Sequence, residues 1–552
     1  MHVARAKWPS KNGKVYETIW LRESYREGGK VKKRDLVNLT HHPPEEIAAI
    51  ELALKHKGNL AQLGSLAEIQ LKEGLSVGAV WTVYQVARRL GIEGALGTDR
   101  PGKLALWQVL ARALEQGSRL SAVRLARVHA ACDALGLRQG FSENDLYENL
   151  GWLCARQEGI ERRLFAARAD RRQPELFLYD VTSSYLEGED NALGDYGYNR
   201  DGKRGKKQIV IGLLCDADGD PVSTEVFRGN TQDLATFAAQ VTKVSERFGC
   251  RRVTFVGDRG MIKRGQIEEL SRAGFHYITA ITKAQIGGLL KAGVIQMELF
   301  DERLCEVEEG GVRYILRRNP ARAGEMAASR QDKRAGVERL LAKQNARLSE
   351  HPRARVSTAQ RAVQDKIERL EIQTWLSVKS EGRRLELAVE EEALEEAARL
   401  DGCYVLKTDL PARAADTRTV HERYKDLAEV EWAFRTCKSA HLEVRPVHVR
   451  TEAHTRGHVL VVMLAYRVIR ALRRAWAKLD VTVEEGLEQL KTLCSLEMRV
   501  KGGGACLRLP EPRDSSLQLL RAAGVELPAV LPHSPARVVT HKKLPSRRRD
   551  VE

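Results

Sequence analysis

Two short apolar runs in the middle of the chain constrain its fold most. Residues 175–181 read Glu-Leu-Phe-Leu-Tyr-Asp-Val, and residues 253–258 read Val-Thr-Phe-Val-Gly-Asp. Runs of this kind are typical of strands that are buried on both faces of a sheet. A hairpin pattern at 208–227, two helical patterns and a strand pattern at 276–281 complete the order strand, hairpin, helix, strand, helix, strand. This order predicts a mixed α/β domain.

Each of the two apolar runs carries an aspartate at its end, Asp180 in the first and Asp258 in the second. Burying a carboxylate is costly unless it is paired or bound to a metal ion. Ligands also collect at adjacent strand ends of an open α/β sheet. Either aspartate alone would more often be a helix cap or a turn residue. Together with a third carboxylate on a helix, they favour a site for a hard cation.

A third carboxylate is predicted from helical spacing over residues 424–438. With the chain read as one α-helix, Tyr424, Glu431, Arg435 and Lys438 fall on one edge of an apolar stripe that contains Leu427. The alternative is an ordinary amphipathic helix with an ion pair between Glu431 and Arg435, four residues apart. The two strand-end aspartates favour a functional interpretation of this edge.

These motifs resemble the DDE transposases of bacterial insertion sequences. The shared features are a strand that ends in Asp180, the run Gly-Asp258-Arg-Gly-Met and the spacing Tyr424-x6-Glu431-x6-Lys438. The resemblance is closest to the branch with a β-rich insertion and the signature Y-x2-R-x3-E-x6-K, and it covers about residues 175–475. The segments 227–231, Phe-Arg-Gly-Asn-Thr, and 456–458, Arg-Gly-His, also agree with that family. Leu427 stands where the signature has arginine, and Arg435 is a candidate for the missing cation.

The resemblance implies an RNase H-like catalytic domain that cleaves DNA at the ends of the element and transfers the freed strand into target DNA. Asp180, Asp258 and Glu431 would be the catalytic residues and would hold two Mg²⁺ ions, for which Mn²⁺ could substitute. The residues expected to contact DNA are Tyr424, Arg435, Lys438, Arg259 and, in the basic loop 200–207, Arg204, Lys206 and Lys207. A solvated hairpin end is the alternative interpretation of that loop.

A chain of 552 residues is too long for one hydrophobic core, so several domains are expected. The predicted fold class is multidomain α+β and α/β, with a β-rich insertion in the RNase H-like domain and a mainly helical, basic N-terminal region. The expected division is a basic N-terminal region (1–75), a helical region that could bind DNA (76–172), the first part of the catalytic domain (173–283), an insertion (284–405), its second part (406–476) and a C-terminal region with a basic tail (477–552). A helical bundle without a function of its own is the alternative for the front of the chain.

The charge balance favours a polyanionic partner. The chain has 91 basic and 74 acidic residues, a formal net charge of +17, and 43% hydrophobic residues, which excludes a wholly disordered protein. Residues 1–40 hold ten basic residues and four acidic ones, and residues 534–552 hold six and two. The expected partner is double-stranded DNA, both terminal inverted repeats and target DNA. A homodimer on DNA is implied by the resemblance only.

Other features mainly exclude classes of protein. No secretory signal follows Met1, the most apolar run (459–466) is too short to span a bilayer, and the nine cysteines form no C-x-x-C pair. We therefore expect a cytoplasmic, nucleoid-associated protein without a membrane partner. Two rival functions stay open, a stand-alone structure-specific nuclease of the same fold and a domesticated DNA-binding protein. The three intact carboxylates argue against the second rival.

Overall fold

A computed structural model describes the protein over most of its length. The described residues are 1–9, 15–58, 69–168, 175–259, 261–438, 442, 444, 447–500, 505–528, 534 and 536–541. Most of the expected basic tail, from residue 542 on, lies outside them. In the described ranges, every helix is too short or too polar to cross a membrane.

The described part of residues 1–58 forms a small sheet backed by one helix, which we call the N-terminal module. Its elements are β1 (His2–Pro9), β2 (Val15–Glu27), β3 (Lys30–Asn38) and α1 (Pro44–Lys55). Strand β2 pairs antiparallel with both neighbours. Gly28 and Gly29 make the tight β2–β3 turn at φ values of 59° and 79°, which glycine adopts without steric penalty. Ile19, Leu39 and Ile47 form a buried core between the sheet and the helix.

A mainly helical region follows. It consists of β4 (Ile69–Ser76), α2 (Gly78–Arg89), α3 (Ile92–Leu96), α4 (Arg100–Leu114), α5 (Arg119–Val128), α6 (Ala131–Leu135) and α7 (Glu143–Ala166). The side chain of Ser142 accepts a hydrogen bond from the amide of Asp145, and the Asp145 carboxylate accepts one from the amide of Ser142, so that α7 begins with a capping box. Helix α4 is buried along almost its whole length, including Trp107.

The central part of the chain has the predicted order of elements. It contains β5 (Leu176–Tyr185), β6 (Gln208–Asp216), β7 (Pro221–Arg228), α8 (Asp233–Thr242), β8 (Thr254–Gly257), α9 (Arg264–Ala273) and β9 (His276–Ala280). Strands β6 and β7 form the expected hairpin, and α8 continues into one π-helical turn over Lys243–Arg247. The prediction of strand, hairpin, helix, strand, helix, strand is confirmed.

The segment between residues 283 and 408 adds strands to the main sheet and also contains elements that lie outside it. Its elements are α10 (Lys283–Lys291), a 3₁₀ turn (Met297–Leu299), β10 (Cys305–Glu309), β11 (Val312–Arg318), α11 (Pro320–Glu350), α12 (Val356–Arg369), β12 (Leu376–Glu381), β13 (Arg384–Val389), α13 (Glu391–Arg399) and β14 (Cys403–Thr408). Strand β14 pairs with β9 and with β11, which pairs with β10. The predicted insertion therefore contributes strands to the main sheet. Only the part from α11 to α13 forms a lobe with a core of its own, around Val363 and Trp375.

The remaining elements are mainly helical. They are α14 (Thr417–Lys425), α15 (Leu427–Lys438), α16 (Glu452–Trp476), α17 (Val483–Lys491), β15 (Cys494–Val500), β16 (Ala505–Arg508) and α18 (Asp514–Ala522). The prediction of one helix over 424–438 is wrong, because α14 ends at Lys425 and α15 begins at Leu427, with Asp426 in a turn between them. Strand β15 pairs with β4, so the C-terminal part of the chain folds back onto the front of it.

The main sheet has the strand order β10-β11-β14-β9-β8-β5-β6-β7. Strands β5, β8 and β9 are parallel, and the other pairings are antiparallel. Phe177 and Tyr179 face α8 and α9 on one side of the sheet, whereas Leu178 and Val256 share a core with α15 and α16 on the other side. A central mixed sheet with helices on both faces confirms the expected RNase H-like class.

The helical front region packs on the same side of the sheet as α16. Its buried side chains, such as Trp107 and Leu150, belong to one hydrophobic core with those of α16. Gly457 lies against the backbone carbonyl of Leu150, and a Cβ atom there would collide with it. The glycine of the Arg-Gly-His segment therefore allows α16 and α7 to approach closely. The front region and the main-sheet region thus share one hydrophobic core.

Candidate active site

Asp180 and Asp258 lie side by side on the same face of the main sheet. The parallel pairing of β5 with β8 ends at Tyr179 and Gly257, so the two aspartates are opposite each other one residue further on. Neighbouring strands are about 5 Å apart, and aligned residues of a pair point to the same face. This is the face covered by α15 and α16. Asp180 is partly buried, and Asp258 is exposed at the strand end.

The surroundings of Asp180 disfavour its ionised form. Burial raises the pKa of Asp180 to about 7, against the opposing hydrogen bond from the amide of Val181 to Oδ1 at 2.7 Å. The negative charges of Asp258 and Glu431 raise the pKa of Asp180 further, and Arg200 lowers it. Asp258 and Glu431 therefore lie close enough to Asp180 to disfavour its negative charge.

Tyr424 connects the helical side of the site to the strand side. Its hydroxyl donates a hydrogen bond to Oδ1 of Asp258 at 3.3 Å. Burial raises the pKa of Tyr424 well above its usual value, and the charges of Asp258 and Glu431 act in the same direction. The amide of Arg259 donates a second hydrogen bond to the same oxygen of Asp258 at 2.6 Å. Tyr424 lies at the end of α14, one turn before the start of α15.

Helix α15 divides its side chains between the core and the solvent. Leu427, Val430 and Phe434 are buried, whereas Glu431 and Arg435 are exposed. In the described part of the chain, Glu431 and Arg435 form no ion pair, so the ordinary i,i+4 pair that was the alternative is not observed. Leu427, at the position of the signature arginine, lies in the apolar core.

Lys438 forms a buried ion pair instead of reaching into solvent. Its Nζ lies 2.8 Å from Oδ1 of Asp201, and the side chains are only 11% and 1% exposed. The other carboxylate oxygen of Asp201 accepts the amide of Tyr185, the last residue of β5. Asn199 holds the turn around Asp201 with a hydrogen bond from the Asp201 amide at 2.8 Å. Asp201 thereby links the end of α15 to the end of β5.

Sequence analysis missed Asp201, although a signal was present. It is the one acidic residue in the basic loop 200–207, whose other charged residues are all Lys or Arg. Its partner lies 237 positions away in the sequence, so the pairing itself could not be predicted from spacing.

The predicted basic residues of the loop differ in their contacts. Lys206 pairs with Glu187 at 3.0 Å, and Lys207 donates to the backbone carbonyl of Glu189 at 3.3 Å. Arg204 is exposed, as is Arg259 beside Asp258. Among the described cations in and around this loop, Lys203, Arg204 and Arg259 are exposed and form no ion pair.

The donor set suits a hard divalent cation. All three groups are carboxylates, and a nearby cation would relieve the repulsion that raises the pKa of Asp180. In the described residues, however, no group of three His, Cys, Asp or Glu side chains is close enough to hold one metal ion together. The residues therefore fit a metal site chemically, in an arrangement that is more open than a ligand cage.

Comparisons with known proteins identify the family. Residues 171–468, more than half of the chain, match the family model of the transposase DDE domain. Residues 6–68 match the model of the N-terminal domain of IS1634 family transposases. No curated protein sequence matched the chain. Among solved structures, the cryo-EM structure of the piggyBac transposase synaptic complex with hairpin DNA is similar at a TM-score of 0.35 and 10% identity, over 80% of this chain and 75% of that one.

DDE transposase domains act with divalent metal ions, which agrees with the chemistry of the three carboxylates. The predicted resemblance to the DDE transposases of insertion sequences is confirmed by both family models. Because the DDE model spans more than half of its residues, the chain belongs to the DDE-domain transposases.

Proposed function

We propose that this transposase cleaves DNA at the ends of its insertion sequence and joins the freed ends to target DNA, with Asp180, Asp258 and Glu431 as its catalytic residues. The observation that carries the proposal is the alignment of Asp180 and Asp258 on adjacent parallel strands, with Glu431 close enough to raise the pKa of Asp180. Two such ends require two active sites, so we expect a pair of chains on the DNA, located at the nucleoid.

The three carboxylates would hold two Mg²⁺ ions, or Mn²⁺ in their place. Bound ions of this kind stabilise the attacking and leaving oxygens in phosphodiester displacement. Within the described residues, the hydrogen bonds to the Asp180 and Asp258 side chains all fall on Oδ1. Oδ2 of each aspartate would therefore stay available to a metal ion. The hydrogen bonds on Oδ1 fix the rotation of both carboxylates.

Tyr424 has a positioning role in this proposal. Its hydroxyl holds Asp258, and it brings the end of α14 to the edge of the sheet. Helix α15 begins three residues after Tyr424, and its first residue, Leu427, is buried in the core. The hydrogen bond from Tyr424 to Asp258 therefore also orients the first turns of the helix that carries Glu431. Arg259, next to Asp258 in the sequence, and Arg435, one helical turn beyond Glu431, are exposed and would contact phosphates of the bound strands.

Lys438 also acts through a neighbour. The pair with Asp201 fixes the last turn of α15 to the end of β5, the strand that carries Asp180. The resemblance implies that Lys438 contacts a DNA phosphate. Lys438 would make this contact while it stays paired with Asp201. Glu431 would thus be placed by two anchors, Tyr424 before it and Lys438 after it.

The experiment is an in vitro reaction with the purified full chain and DNA that carries the element's own ends. With Mg²⁺ we expect both cut ends and joined products in a target plasmid, and with a chelator neither. Cutting without joining would indicate the stand-alone nuclease. DNA binding with neither cutting nor joining would indicate a domesticated DNA-binding protein, and either result would contradict the proposal.

A further inference from the structure

The N-terminal module has one covered and one open sheet face. Strand residues alternate between the two faces. Ile19 and Leu21 face α1, so Tyr16, Thr18 and Trp20 on the same strand face the other way. The register places Trp8 of β1 directly opposite Tyr16. No helix of the module covers this second face.

Aromatic side chains occupy one end of the open face. Trp8 is 46% exposed and Tyr16 is 53% exposed, and Trp20 is half-buried beside them. Large aromatic side chains that are paired across strands usually stabilise a sheet by packing against a covering layer. Here they are exposed together, which is typical of a binding surface.

Cations occupy the other end of the open face. Arg26 of β2 and Lys33 of β3 both lie on it, according to the β2–β3 register, and both are exposed. Neither forms an ion pair within the described residues. The neighbouring cation on this face, Arg22, is bound by Asp35 at 2.5 Å. The charges of Arg26 and Lys33 are therefore available to a partner.

We propose that the open face of the N-terminal module binds the double-stranded DNA of the element's ends. An exposed sheet can enter a groove of duplex DNA, where cations contact phosphates and aromatic side chains contact sugars and base edges. The charge of the face fits a polyanion and opposes a second copy of the same basic face. This inference rests on the proposed function, because it names the surface that recognises the DNA to be cut.

Two variants of the full chain test the cationic end. Arg26→Ala with Lys33→Ala removes two charges from the open face, and Lys55→Ala with Lys57→Ala removes two exposed charges at the end of α1, which covers the opposite face. Binding is measured by fluorescence anisotropy with a labelled duplex of the terminal inverted repeat over a series of salt concentrations. We expect the first pair to lower the affinity about tenfold and the salt slope by about 2, and the control pair to change neither.

A third variant, Trp8→Ala with Tyr16→Ala, tests the aromatic end. We expect an affinity loss of about tenfold with an unchanged salt slope, since no charge is removed. Circular dichroism checks that the module stays folded, and the charge variants keep the test decisive if the aromatic variant unfolds.

Equal affinities of the open-face and control variants, with wild-type cleavage intact, would overturn this inference and leave the proposed function standing. A changed oligomer mass with unchanged DNA affinity would also overturn it, by assigning the face to a second copy. A wild-type chain that binds the repeat but never cuts it would instead contradict the proposed function alone.

Discussion

The candidate active site and the N-terminal module both contain basic residues, but they use the positive charge differently. At the candidate active site, Lys438 is 11% exposed and bound to Asp201, which is 1% exposed. In the N-terminal module, Arg34 pairs with Glu23 while their side chains stay 65% and 34% exposed. A buried pair is costly to break, whereas an exposed pair contributes little stability. We infer that charge at the candidate active site holds the site together and that charge on the module is available to DNA.

The largest expected effect comes from breaking the buried pair. Lys438→Ala removes a cation that is paired with the buried Asp201 carboxylate, which should lower the free energy of unfolding by about 3–5 kcal/mol. Asp201→Asn should cost less, because an asparagine oxygen can still accept the amide of Tyr185. Thermal and urea unfolding measure both changes.

The matched control is an exposed pair in the same loop. Lys206→Ala breaks the pair with Glu187, whose side chains are about half exposed, and should change stability by less than about 1 kcal/mol. Equal losses for Lys438→Ala and Lys206→Ala would contradict the distinction between the two kinds of pair. The double variant Lys438→Met with Asp201→Asn removes both charges and keeps an acceptor for the Tyr185 amide, so it should recover much of the stability.

A second prediction concerns the metal-free protein. Burial raises the pKa of Asp180 to about 7, well above the value of about 3.9 expected for the unfolded chain. Ionised Asp180 therefore destabilises the fold above about pH 4, and most above about pH 7. Asp180→Asn should raise the melting temperature by a few degrees at about pH 8 and leave it unchanged near pH 4. A lower melting temperature of Asp180→Asn at both pH values would contradict the prediction that ionised Asp180 destabilises the fold.

A third, smaller effect is expected at Tyr424. Tyr424→Phe removes the hydrogen bond to Asp258 and keeps the ring, so kcat for cleavage should fall about fivefold, equivalent to about 1 kcal/mol. DNA affinity should stay the same. Tyr404→Phe is the control, since the Tyr404 hydroxyl bonds to His421 and not to a carboxylate. An unchanged kcat for Tyr424→Phe would contradict the proposed positioning role of Tyr424.

The smallest effect is expected in the basic loop, where cations with and without partners can be compared directly. Arg204 is exposed without an ion pair in the described residues, whereas Lys206 and Lys207 already have partners. If the loop contacts phosphates, Arg204→Ala should lower the salt slope of DNA binding by about 1, and Lys206→Ala by less. An identical slope for wild type and Arg204→Ala would favour the solvated hairpin end.

Much of the fold could be predicted from the sequence, for physical reasons. The strands around Asp180 and Asp258 are short, apolar and bounded by turns, so their order and the mixed sheet followed from local pattern. The break at Asp426 could not be predicted, since residues 424–438 keep a helical period without glycine or proline. Helix α4 looked like part of a separate bundle because an apolar face does not reveal its partner. Its packing with α16 is set by the tertiary fold.

The assignment of Asp180, Asp258 and Glu431 as the site residues came from the sequence and stays a prediction. The sequence also shows that Leu427 stands in place of the signature arginine. It could not predict that Lys438 would be buried, because the acceptor, Asp201, comes from a loop between two other strands. Contacts between distant segments decide whether a basic residue faces DNA or the interior.

Metal-dependent cleavage by single carboxylate variants tests the central claim most directly. Asp180→Asn, Asp258→Asn and Glu431→Gln would each be compared with wild type and with Glu422→Gln, an exposed glutamate on α14 that serves as the matched control. The substrate is DNA with the element's end, and both cleavage and end binding are measured with Mg²⁺. We predict that the three variants bind the end as wild type does but lose cleavage, while Glu422→Gln keeps both. Cleavage retained by any of the three would contradict the assignment of the catalytic residues.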